Sequence, residues 1–197
     1  MAVSRVKSSS VLQGFPKYRS MLAGNTYYDP AATFLIQRVA GTGSSGNITF
    51  TSIPQTYSSL QIRLIGRDSA GTGTSNFGIQ INSDTGSNYT RHNLRGNGSA
   101  TSAGGSASTS SISGSLLPLS NQTANVMGTS IIDIHDYAST SRYKTVRVFG
   151  GVDLNGSGTV ELDSGVWMST SAITSITLIP GWTTWTTTSS IALYGMK

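Results

Sequence analysis

The sequence predicts an all-β fold, an antiparallel β-sandwich of jelly-roll type preceded by an extended N-terminal arm. Three observations carry this. Short segments alternate apolar and polar residues with period two. No stretch shows the 3.6-residue period of an amphipathic helix. Turn-forming Gly, Ser and Asn clusters separate the segments at intervals of roughly 10–15 residues. Residues 1–28 show no sustained period, and Gly14 and Pro16 interrupt their only weakly apolar part, so the sandwich is read over 29–197. Thr33 to Val39 opens it. The Gly41 to Gly46 stretch turns, and Asn47 to Ile53 follows. Leu60, Ile62 and Leu64 alternate with Gln61 and Arg63, and Phe77, Ile79 and Ile81 repeat the pattern. Asp84 to Gly86 turns into a strand from Asn88 to Leu94. Residues 96–115 are nearly all Gly, Ser, Ala and Thr. They carry too little apolar surface to order themselves and are expected as a loop, flexible or draped over a neighbour. Strands resume over Val126 to Ile134, Lys144 to Phe149, Thr159 to Met168, Ile173 to Ile179 (stopped by Pro180) and Ile191 to Met196, about nine or ten in all. The apolar faces are thin for that many strands, so added stability from neighbours in an oligomer is expected.

Composition narrows the class. Charged residues are 11% of the 197, against about 25% in an average domain, and hydroxyl side chains and glycine fill the difference. The chain has no cysteine, which excludes disulfides and thiolate metal sites. The first twenty residues lack the apolar core of a secretory signal. No run reaches the roughly 18 apolar residues of a membrane span. Synthesis in a cytoplasm and no membrane partner are the expectations.

Charge is distributed unevenly. Arg5, Lys7, Lys17 and Arg19 precede the first acid, Asp29, and the rest of the chain sets nine basic residues against eight acids. Four cations over 28 residues are too dilute for strong nucleic-acid binding. Val11, Leu12, Phe15 and Tyr18 lie among them. The segment therefore reads as an arm held on an acidic protein surface, an anchor with no nucleic-acid partner.

Catalytic chemistry is sparse. His92 and His135 are the only histidines, too few for a zinc site without cysteine, and read as surface groups. Asp133, Asp136, Asp153, Glu161 and Asp163 could supply a carboxylate pair for glycoside hydrolysis, but nothing in their spacing separates that from solvated acids at strand ends, and they are read as the latter. No nucleophile elbow, calcium loop or phosphate loop is present. The expectation is a non-enzyme without cofactor or metal. Trp182 and Trp185, three apart, point to opposite faces of a strand. With Tyr89 they are the candidate contacts for a subunit interface or a glycan.

Three blocks carry a resemblance. They are the arm over 6–25, the run from Ile53-Pro54 through Leu60-Gln61-Ile62-Arg63 with Ile81 to Gly86 and Asn88-Tyr89, and the end from Ile173 to Leu178 through Ile191 to Gly195. Together they resemble virion structural proteins of tailed bacteriophages, particularly phages of aquatic and cyanobacterial hosts. The resemblance implies a β-sandwich displayed on the particle, trimers or other rings, other virion proteins of capsid or tail as partners, and no catalytic residue. It places the chain in the virion, assembled in the host cytoplasm. With no fibre shaft between arm and sandwich, capsid decoration is the first expectation. A tail-fibre or tail-tip component binding host-surface carbohydrate is the second.

Overall fold

The computed structural model describes residues 33–44 and 46–197; the arm read over 1–28 lies outside the described residues. Twelve strands and no helix are found among the described residues. In chain order they are β1 (Thr33–Ala40), β2 (Ile48–Phe50), β3 (Ser59–Gly66), β4 (Thr74–Ile81), β5 (Tyr89–Gly96) and β6 (Thr101–Thr109). They continue with β7 (Ile112–Pro118), β8 (Gly128–His135), β9 (Lys144–Asp153), β10 (Gly158–Trp167), β11 (Ile176–Ile179) and β12 (Ser190–Met196). All pair antiparallel. Eight form one sheet in the order β1-β12-β3-β8-β9-β10-β5-β6, and four form the other in the order β2-β11-β4-β7. The protein is an antiparallel β-sandwich, as the period-two pattern predicts, with unequal layers.

The alternation in each strand sets the core. Leu60, Ile62 and Leu64 of β3, Ile132 and Ile134 of β8, and Val146 and Val148 of β9 point inward from the large sheet. They meet Phe50, Phe77, Ile79, Ile81 and Leu178 of the small one. The core is one contiguous cluster that also takes in Tyr89, Tyr137, Trp167 and Trp185.

The stretch expected to be a loop is instead β6 and β7. Strand β6 is nearly all exposed and is ordered by backbone pairing with β5 rather than by its side chains. Strand β7 is buried throughout, in the small sheet. Its Gly114 lies under the Phe77 ring, where a Cβ would overlap the ring. Small residues here permit close approach between layers. The β9–β10 turn is Asn155-Gly156, with φ of +62° and +99°, and the Leu154 amide donates to the Ser157 carbonyl at 2.7 Å. Left-handed φ at both central residues is the type I′ form of a two-residue hairpin, which Asn-Gly favours.

Candidate functional site

Strand β10 inverts the usual alternation. Val160 and Leu162 face outward and are exposed, while Glu161 and Asp163 face inward, each 1% exposed. The reason lies further along the strand. Trp167 belongs to the core, and Gly165 sits where a Cβ would strike Ile112 of β7. With period two, burying 165 and 167 also buries 161 and 163.

Outside, this produces a row of exposed apolar side chains across four strands. Leu94 pairs with Leu162, Leu162 with Phe149, and Phe149 with Ile131. The same register continues through Arg63 and Ala192 to Arg38. A groove of about 890 Å³ crosses this face, with Ile65, Ile131, Phe149 and Val160 among its lining residues. A smaller depression lined by Leu94 and Leu162 shares Phe149 and Val160 with it. The β5–β6 and β9–β10 turns contribute Asn97, Gly98, Gly156 and Ser157. The Arg63 Nε donates to Gln61 Oε1 at 2.8 Å, and its guanidinium lies over the Tyr194 ring, 4.7 Å from the centroid. Among the described residues, carboxylates pair only with Arg95 and Arg142, which leaves Arg38 and Arg63 without an acid.

Inside, the acids close the polar end of the sandwich. Glu161 accepts from Arg95 Nε at 3.1 Å, Asn76 Nδ2 at 3.2 Å and the Leu116 amide at 2.9 Å. Arg91 Nη1 donates to Ser113 Oγ at 2.6 Å, and the Ser115 and Ser130 hydroxyls bond each other. Asp163 Oδ2 has no partner. Burial and then the neighbouring Glu161 raise the Asp163 pKa to about 7, against the opposing pull of Arg95 and Arg91.

The residues singled out from sequence are dispersed. Arg5, Lys7, Val11, Leu12, Phe15, Lys17, Tyr18 and Arg19 lie outside the described residues. Trp182 is 63% exposed, but Trp185 and Tyr89 are 0% exposed within a single chain. Two of the three aromatics expected as interface or glycan contacts are thus core residues. Trp185 packs against Phe77 with ring centroids 6.0 Å apart. The Tyr89 hydroxyl donates to the Asp84 carbonyl at 2.8 Å and accepts the Ile81 amide at 3.1 Å. Asp68 secures the tryptophan loop, accepting the Trp182 amide at 2.8 Å and the Thr183 hydroxyl at 3.1 Å. The acids do not converge either. Asp133 accepts from Gln61 at 2.9 Å, and Asp136 pairs with Arg142. Asp153 caps the Asn155 amide at 2.8 Å, and Glu161 and Asp163 are sealed inside, not solvated. No group of three His, Asp or Glu side chains among the described residues could hold a metal. The outer apolar row was missed from sequence. Its signal was the strict alternation of Val160 and Leu162 with Glu161 and Asp163, which is compatible with either face being buried.

Compared with protein-family models, with curated proteins and with solved structures, the chain matches none.

Proposed function

We propose that this protein is a non-enzymatic exterior structural component of a tailed-phage virion. In this reading residues 1–28 anchor it to other virion proteins, the sandwich faces outward, and the chain assembles as a homotrimer that decorates the capsid. The observation that carries an assembly role is the exposed row Leu94, Leu162, Phe149 and Ile131. Proteins that act alone rarely leave a contiguous apolar patch of this kind open to water. The phage assignment is supported by the resemblance of the arm and the two strand blocks. It is tested by deleting residues 1–28. The truncated body folds but no longer enters particles, and hundreds of copies of the intact chain are counted per particle. Full incorporation without the arm would remove the anchoring role. A count of a few dozen would move the chain to the tail.

One observation favours the second reading, a tail component that binds host-surface glycans. Trp182 is 63% exposed on a loop that Asp68 holds through the Trp182 amide, a fixed indole ring open to water that suits stacking on a sugar. Trp182→Ala then abolishes retention on host-surface glycan arrays. Equal retention of the variant and the parent would dismiss it.

A further inference from the structure

We infer that the groove across the outer face of the large sheet binds an extended segment of another protein, one that carries apolar side chains followed by a carboxylate. This names the partner chemistry of the face on which the assembly role rests. The binding test below reads the isolated protein, whereas incorporation reads the particle, so either can fail alone.

Three features define the occupant. The first is the apolar row. Leu94, Leu162, Phe149 and Ile131 stand side by side on adjacent strands, and three inter-strand steps span about 14 Å. An extended chain crossing them can set alternate side chains onto the row over about four or five residues. Aliphatic groups dominate this floor, which suits protein side chains better than the hydroxylated faces of sugars.

The second is charge. In the same register, one strand past Ile131 stands Arg63, and two strands further Arg38. Neither has a carboxylate partner among the described residues. Arg63 is already oriented by Gln61 and Tyr194, so its remaining donors are held ready for an acid at little entropic cost. Asp153, the acid that lines the groove, turns to the Asn155 amide of its own hairpin.

The third is what the charge excludes. Residues 1–28 of this chain hold four cations and no acid, the wrong sign for a groove with two arginines that have no carboxylate partner among the described residues. The arm of a neighbouring copy is therefore not the occupant, although its apolar residues would suit the floor.

The test uses the full chain and four labelled probes followed by fluorescence anisotropy. They are the nonapeptide Leu-Ser-Leu-Ser-Leu-Ser-Asp-Ser-Asp, which sets three Leu and then two Asp on one side of an extended chain, the same peptide with Lys for Asp, the same with Ser for Leu, and polygalacturonate oligomers. Only the Leu–Asp peptide binds. Phe149→Ser and Arg38→Glu/Arg63→Glu each weaken it at least about tenfold, and the double charge reversal transfers binding to the Leu–Lys peptide. All three positions are exposed, so these variants keep the fold, which far-UV circular dichroism verifies. Equal binding of both charged peptides would overturn the electrostatic half of the inference. Binding of polygalacturonate but not of peptide, lost in the charge-reversed variant, would make the occupant an acidic glycan and overturn the protein assignment. No binding by any probe would overturn it altogether.

Discussion

Glu161 of β10 accepts the backbone amide of Leu116 of β7 at 2.9 Å, so a carboxylate from one sheet completes the hydrogen bonding of a strand in the other. Arg95 and Asn76 hold the same carboxylate from two further strands. Removing a buried partner of this kind leaves a guanidinium and an amide unpaired. Glu161→Ala is expected to lower stability by about 3–5 kcal/mol. Glu161→Gln keeps an oxygen for Leu116 and loses less. Urea unfolding of the three proteins measures both.

Asp163 is a source of pH dependence. Its pKa in the folded protein is raised to about 7 by burial and by Glu161, whereas in the unfolded chain it returns to about 4. The folded state therefore favours the protonated acid. That contribution is complete below about pH 4 and disappears as pH rises through about 7, because the carboxyl must then ionise inside the sandwich. Asp163→Asn removes the dependence and stabilises the protein at pH 8 by about 1–3 kcal/mol, since a tenfold change in ionisation constant is worth about 1.4 kcal/mol and screening takes part of it. Parallel Tm series from pH 4 to 8 would show the two proteins diverging from about pH 4 and running parallel again above about pH 7. Curves parallel throughout would refute the assignment.

Tyr89 joins the layers by its hydroxyl, which accepts the Ile81 amide and donates to the Asp84 carbonyl. Tyr89→Phe preserves the ring in the core but strands both backbone groups. The expected cost is about 1–3 kcal/mol. Burial also raises the hydroxyl pKa to about 12, so this tyrosine ionises late in an alkaline titration followed at the phenolate absorbance, and the variant lacks that step.

The two tryptophans of the 181–186 loop separate cleanly. Trp185→Ala opens a cavity beside Phe77 and is expected to cost about 3–5 kcal/mol. Trp182→Ala, at an exposed site, stays within about 0.5 kcal/mol of the parent. Chemical denaturation distinguishes them, and iodide quenches the fluorescence of Trp182 but not of Trp185.

Much of the architecture was legible in the chain. The alternation of Leu60, Ile62 and Leu64, of Phe77, Ile79 and Ile81, and of Ile132 and Ile134 located those strands and their inner faces, because apolar residues there had only one face to bury. Strand β6 was not legible, since its residues make no core contact and its order comes from the backbone of β5. Strand β7 was obscured because its serines and Gly114 read as loop residues until Arg91, Ser130 and Phe77 surround them.

The candidate binding face shows the division most clearly. By itself the sequence determined that Val160 and Leu162 share one side of a strand and Glu161 and Asp163 the other, because the pleat has period two whatever surrounds it. Which side is inward was decided only when β7 came to rest on Gly165 and Trp167 entered the core. Packing at those two positions forced the acids inside, where Arg95 and Asn76 meet Glu161, and left the apolar side chains facing outward. Strand register then brought Leu94, Phe149, Ile131, Arg63 and Arg38 into one row from five separate parts of the chain, a juxtaposition with no counterpart in their spacing along it.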